Sequence, residues 1–288
     1  ILGALAKAYQ FNSSFNSARA GARAVDENVA IAKSGYRPTI GANGSVDYVS
    51  RSGRSPARIA TGSFGIEIRQ TLFDGFQTHN NVAAAEARVQ ASIESLRNTE
   101  QNTLFDAASA YMDVIRDRRI AVLTEQNLEF LNEQVRAARS RLEVGEGTRT
   151  DVAQADASRS SAVAQLSAAR AQALASAATY RQIVGEEPGT LKAASPLAKL
   201  LPNSIDQAFV VAEKTPPAII ASEHLVDAAG FAVKATEGAL LPQITGSASV
   251  ARSATQTSPE SFSDGTNTAA SIGASISIPI YQGGQEYS

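Results

Sequence analysis

The side chains able to act as acid, base or metal ligand are scattered along this sequence, not gathered. His79 and His224 are the only histidines. They lie far apart, and neither has a second histidine or a carboxylate at a metal-binding spacing, so surface or packing roles are expected for both. Cysteine is absent, which removes a disulfide framework and a thiolate metal site; envelope and cytosolic proteins both show this. Asp106, Asp113 and Asp117 recur at helical spacing, and the run Arg116, Asp117, Arg118, Arg119 mixes signs. The first read as exposed carboxylates on a long helix, and the second as a solvated helix face. No nucleophile elbow or phosphate loop is present, so no catalytic residue, cofactor or metal is expected. Two polar groupings remain. Glu67 and Arg69 alternate on one strand face, placed to line a lumen or pair with neighbouring strands. Thr148 and Asp151, just after Gly145 and Gly147, suit a tight helix reversal followed by an N-terminal cap, with Asp151 as a helix-start carboxylate.

The elements that must carry these residues follow from periodicity. Residues 5–34 are Ala-rich and read as one helix, ended by Gly35 and Pro38. Strands are expected at 39–51 and 61–73, where apolar residues (Ile40, Ala42, Val46, Tyr48; Phe64, Ile66, Ile68) alternate with polar ones, around a polar loop at 52–60. Residues 76–144 step their apolar positions by three and four with neither Pro nor Gly inside, predicting a helix about 100 Å long that needs coiled-coil-like partners. The turn at 145–147 reverses the chain into a second helix, 148–184. Helices 5–34 and 148–184 together nearly match the long helix, so the Pro- and Gly-bearing stretch 185–203 should lie midway along it as a belt.

The order then begins again. A short helix near 204–214, a helix at 218–238 and strands at 243–252 and 270–281 repeat the first half at an offset of about 204 to 208 residues. Pro38 answers Pro242, and LFDGF at 72–76 answers IYQGG at 280–284. The first repeat is thus 1–203 and the second 204–288, with a further long helix pair expected beyond it. Ahead of Ile1 a targeting peptide is expected to be absent or already removed.

These patterns bound the function class. A formal net charge of −2 offers no basic surface, so no nucleic-acid partner is expected. No run reaches the roughly 18 apolar residues of a spanning helix, so membrane insertion must use strands. Four strands, apolar on one face and polar on the other, would leave two open edges in lipid; several copies must close one barrel. Eight strands give a filled interior, whereas twelve, from three copies, leave a channel. With helices at the same end of both hairpins, the helical part would prolong the bore into the periplasm.

At this point the sequence resembles the TolC-type outer-membrane factor family, across nearly its whole length. The likeness rests on the duplicated layout and on QTLFDG at 70–75 with PIYQGG at 279–284, RLEVGEGTRTDVAQADA at 141–157, and YRQIVGEEPGTL at 180–191. The resemblance implies a homotrimer with a twelve-stranded transmembrane β-barrel and a long α-barrel of antiparallel helical hairpins. It also implies a periplasmic adaptor protein and an inner-membrane transporter as partners, and location in the outer membrane, in contact with its lipid. On the same resemblance, Val144, Gly145, Gly147 and Thr148 would form the periplasmic tip that adaptors contact, and Asp151 would belong to the entrance gate. Such a duct would serve drug efflux or type I secretion, which the residues do not separate. The rival reading is a non-channel coiled-coil scaffold of the cell envelope.

Overall fold

The computed structural model describes residues 1–53, 56–193, 202, 204–214, 216–258 and 264–281. In chain order these form α1 (Leu2–Phe11), α2 (Ser13–Lys33), β1 (Thr39–Arg51), β2 (Ala57–Phe73), α3 (Gln77–Glu143), α4 (Arg149–Val184), α5 (Ile205–Lys214), α6 (Pro217–Gly238), β3 (Gln243–Ser258) and β4 (Gly265–Ser277). Two compact units result: Ile1–Gly21 with Glu94–Ile219, and Ala22–Ile93 with Ile220–Ser288. Among the described residues no helix is long and apolar enough to cross a membrane.

In the first unit, α1 joins α3 and α4 around Ala4, Ala8, Ala107, Ala110, Tyr111, Val114, Tyr180 and Val184. Alanines let the helix backbones approach closely, and the two tyrosine rings, 6.4 Å apart, fill the space between. Towards the α3–α4 turn the buried positions thin to Val135, Ala138, Ala162 and Leu166, flanked by the ion pairs Arg170–Glu125 at 2.7 Å and Arg139–Asp156 at 3.0 Å. Such exposed pairs each contribute about 0 to 1 kcal/mol, so the narrow apolar seam carries the pairing.

The single helix expected over 5–34 is in fact two. Asn12 leaves the helical region (φ −63°, ψ 119°), and its side-chain oxygen accepts the Phe15 N–H at 3.0 Å, capping α2. Its amide donates to the Ile183 carbonyl at 3.1 Å, fixing the break against the end of α4. Asparagine competes with the helix for backbone partners, which alanine counting does not register.

In the second unit the strands form one antiparallel sheet in the order β1-β2-β3-β4. Three of the four strands depart from the expected bounds: β2 starts at Ala57 instead of 61, β3 runs on to Ser258, and β4 spans 265–277 instead of 270–281. The ladder runs past the apolar stretch because backbone pairing does not need apolar side chains, and β4 stops short of Pro279, which has no N–H to donate. The 52–60 loop shrinks accordingly. The corner from β2 into α3 is tightly built. Thr78 N–H donates to Asp74 Oδ2 at 2.7 Å, Gly75 and Phe76 both have positive φ (68° and 67°), and the Phe73 and Phe76 rings meet edge to face at 5.3 Å. A Cβ at Gly75 would collide with the Gly238 carbonyl, and one at Gly238 with that of Gly75. The glycines therefore let this corner meet the end of α6 backbone to backbone.

Of the belt expected over 185–203, residues 194–201 and 203 lie outside the described residues, as do 54–55 of the first hairpin loop and 282–284 of the segment answering LFDGF.

Candidate functional site

The turn between α3 and α4 is defined by main-chain bonds. Glu146 N–H donates to the Arg141 carbonyl at 2.8 Å and Gly145 N–H to the Leu142 carbonyl at 3.2 Å, with Gly145 at φ +80°. This is the Schellman pattern, and it satisfies two carbonyls that a helix end leaves free. Gly147 passes so near the helix end that a Cβ would sit 3.2 Å from the Leu142 nitrogen. Thr148 then caps α4 in a reciprocal box: Asp151 N–H donates to Thr148 Oγ1 at 3.1 Å and Thr148 N–H donates to Asp151 Oδ2 at 2.9 Å. The Thr148 hydroxyl and backbone bonds, aided by the Arg141 charge, hold the Asp151 carboxyl below the usual carboxylate range. Val144 is 71% exposed at the apex. Behind the turn lies a groove of about 490 Å³ whose lining includes Gln134, Ala138, Arg141, Glu146, Asp151 and Gln154. Val144, Gly145, Gly147, Thr148 and Asp151 are thus brought into one turn: a bare aliphatic apex over a polar groove.

The second unit carries the other predicted residues. Glu67 and Arg69 project from the same face of β2 and pair with each other, Arg69 Nη2 to Glu67 Oε1 at 2.9 Å. By register Glu67 faces Gly41 and Ser249, and Arg69 faces Thr39 and Ser247. Hydroxyl pairs continue that face across strands, Ser45 with Ser63 and Ser249 with Ser271, each at 2.9 Å. The opposite face carries Ile40, Val46 and Tyr48 on β1, Phe64, Ile66 and Ile68 on β2, Val250 on β3, and Ile272 and Ile276 on β4. All are exposed, Ile272 at 89% and Val46 at 88%. One face is therefore a hydroxyl-rich surface bearing an ion pair, the other an aliphatic surface without a covering layer among the described residues.

Three residues that carry much of the first unit were not anticipated. Tyr111 Oη donates to the Lys192 carbonyl at 2.7 Å and accepts the Lys192 N–H at 3.0 Å. Arg118 donates to the Gly189 and Pro188 carbonyls at 2.7 and 2.6 Å. Two side chains near the middle of α3 thus hold the main chain of 188–192. Asp117, expected to be solvated, is instead 3% exposed. Arg116 Nε donates to it at 2.8 Å, holding its carboxyl below the usual range, with Gln172 and Ser176 of α4 assisting. The mixed-charge run is therefore in part a junction: Asp117 is buried against Arg116 and α4, and Arg118 holds the 188–189 main chain, which the order of residues alone does not show. The available signal was Tyr111, an aromatic polar residue in an alanine seam. His224 lies 3.9 Å from Asp227 one turn on, and among the described residues no cluster of metal-binding side chains occurs.

Over residues 4–186 and 210–287 the sequence matches the family described as outer membrane efflux protein. The outer membrane efflux protein BepC of Brucella suis biovar 1 (strain 1330) is 55% identical over 288 residues, which make up 99% of this chain and 61% of BepC. Among solved structures, a membrane protein from Pseudomonas aeruginosa superposes with a TM-score of 0.81 at 18% identity, covering 99% of this chain and 68% of that one. The Campylobacter jejuni CmeC outer membrane channel does so with a TM-score of 0.79 at 13% identity, covering 99% and 62%. At such identities the two structures speak for the fold alone. The chain spans about three fifths of the length of the relative it matches.

Proposed function

Since the chain belongs to the outer membrane efflux protein family, we propose that it forms the wall of a trimeric exit duct, fed through a periplasmic adaptor by an inner-membrane transporter. The observation that carries this reading is the four-stranded sheet with one hydroxyl-rich face, one aliphatic face and two outer strands, β1 and β4, each paired on one side only. In hydrocarbon such edges leave backbone donors and acceptors unpaired, so the sheet must close with other copies. Twelve strands from three chains give an open lumen where eight would be filled.

The aliphatic band itself supports membrane-spanning, tilted strands. On β1 it runs from Ile40 to Tyr48, and on β4 from Ala270 to Ile276, with Ile278 and Ile280 following beyond the strand's end at Ser277. The β1 stretch matches the roughly 9 to 11 residues that a tilted strand needs to cross, and β4 as a whole is long enough to do so. Yet the two stretches are out of step. Ala270 lies on the row of Ile66, whereas Tyr48 lies on the row of Ala60, six residues further along β2. Six residues are about 20 Å along a strand, and three strand spacings about 14 Å across. A band of that slope lies level when the strands lean by roughly 55°, a pronounced tilt in the same sense as, and somewhat steeper than, the roughly 35 to 45° of membrane barrels. Glu67 and Arg69 then face the lumen.

In this reading the turn at Val144, Gly145, Gly147 and Thr148 is the periplasmic tip. Val144 offers an apolar knob to an adaptor, and the polar groove behind it accepts hydrogen bonds. Asp151 belongs to the entrance gate, its carboxylate kept charged by Thr148. The duct passes what its transporter delivers, drugs or a secreted protein alike.

The test is the mass of the full reading frame extracted from outer membranes in detergent, by size-exclusion chromatography with light scattering. Three copies per particle are expected. A monomer, or recovery only in the soluble fraction, overturns the duct and favours a coiled-coil scaffold.

A further inference from the structure

Two arginines stand on the aliphatic face of the sheet, where lipid contact leaves charge most costly. Register places Arg252 beside Phe64 and Thr268, and Arg58 beside Ser50 and Ser258, all on the face of Ile66 and Ile272. Each is the first charged residue beyond the aliphatic run of its strand on the side of the hairpin loops: Val250 precedes Arg252, and on β2 the face reads Phe64, Gly62, Ala60, Arg58. Both are exposed, and neither has an ion-pair partner among the described residues. Along the strand they are about 20 Å apart. The lean that levels the aliphatic band brings them to within about 8 Å in height. They mark its outer border.

Resting on the membrane-spanning reading above, we propose that Arg58 and Arg252 bind the phosphate of anionic lipid headgroups at the outer rim of the barrel. The chemistry is specific. A guanidinium donates a fork of N–H groups that fits two phosphate oxygens, and it carries its charge on an aliphatic stem that lies along the apolar face. The acyl chains of the same lipid cover Phe64, Ile66 and Ile272 below. Lipid is the one occupant that meets both halves of this surface, apolar band and cationic border. A protein partner would need to match a slope set only by the membrane plane.

These 288 residues contain no tryptophan, so Phe64→Trp, with any tryptophan elsewhere in the full-length protein replaced by phenylalanine, supplies one reporter per chain beside Arg252. The full-length protein carrying it is reconstituted in vesicles of phosphatidylcholine with increasing phosphatidylglycerol, one lipid or the other brominated, and quenching gives their relative occupancy at the reporter. A preference for phosphatidylglycerol is expected, falling about fivefold for each arginine removed in Arg58→Gln and Arg252→Gln. Arg51→Gln, at the loop end of β1 but on the opposite face, should leave it unchanged. Equal quenching by both lipids, or a preference that survives the double substitution, overturns the proposal while leaving the duct intact. A reporter quenched by neither lipid overturns the membrane-spanning reading itself. Inorganic phosphate in the buffer should leave the preference in place; its loss would show a site for free phosphate instead of lipid.

Discussion

At the scale of single residues, the carboxylates with the best-defined surroundings are Asp151 and Asp117. Both are held below the usual carboxylate range, Asp151 first by the Thr148 hydroxyl and Asp117 first by Arg116. A depressed carboxyl stabilises the fold above its unfolded value near 3.8, and that contribution is lost as pH falls through the lower, folded value. Neutral and mildly acidic conditions should therefore leave both in place. Helix fraying at Arg149 and Thr150, followed by amide exchange, should set in only below that range, and in Asp151→Asn it should already be present at neutral pH. Thr148→Ala removes the cap from the other side and should cost about 1 kcal/mol in helix stability, seen as faster exchange confined to the first turn of α4. Unchanged exchange in both variants would mean that the tip is held by something other than its box.

At the scale of elements, two joints rest on few polar or close contacts. The 188–192 main chain hangs on Tyr111 and Arg118, so Tyr111→Phe deletes a donor and an acceptor together and leaves Lys192 without either. A loss of about 1 to 3 kcal/mol is expected, with amide exchange at Lys192 accelerated and α3 itself unaffected. The corner between β2 and α3 depends on glycine. Gly75→Ala places a Cβ against the Gly238 carbonyl at a positive φ, while Gly3→Ala meets nothing within 4 Å. The first should lower the yield of folded protein or its thermal midpoint by the equivalent of about 2 kcal/mol or more. The second should leave both unchanged or slightly improved. Comparable behaviour of the two would show that the corner can relax.

At the scale of the whole molecule, the sheet has an aliphatic face and a hydroxyl-rich face, and adjacent residues test the proposal that the first meets lipid and the second water. Ile276 stands on the aliphatic face of β4 next to its end at Ser277, and Ser275 on the hydroxyl face opposite Thr245. Ile276→Lys should cost up to about 2 to 4 kcal/mol in folding from denaturant into vesicles, the upper figure for a midplane position, whereas Ser275→Lys should be tolerated. Equal tolerance would reverse or remove the assignment of faces. Exposed apolar residues on the helices, Phe105 at 73%, Phe130 at 60% and Leu174 at 73%, point the same way. A chain that leaves such residues uncovered is expected to find its remaining core in neighbouring copies.

Periodicity sufficed for the long helix and for the existence of the alternating strands, and residue type for the reversal at Gly145 and Gly147 and the Thr148 cap, because each is governed by neighbours within a few residues. Val144 to Asp151 come together in one turn for the same reason: a turn is local. The Asn12 break was also local and legible, but alanine propensity outweighed it in the reading. Asp117 could not be placed from sequence, since its burial depends on Gln172 and Ser176, more than fifty residues away. The same holds for Tyr111 and Arg118, which reach main chain about seventy to eighty residues on, and for Gly75 against Gly238. The border arginines needed register as well. Alternation assigns each strand two faces, but only the pairing of β1 to β4 reveals that the aliphatic band slopes, because neighbouring strands meet through hydrogen bonds that carry no signature in the side chains.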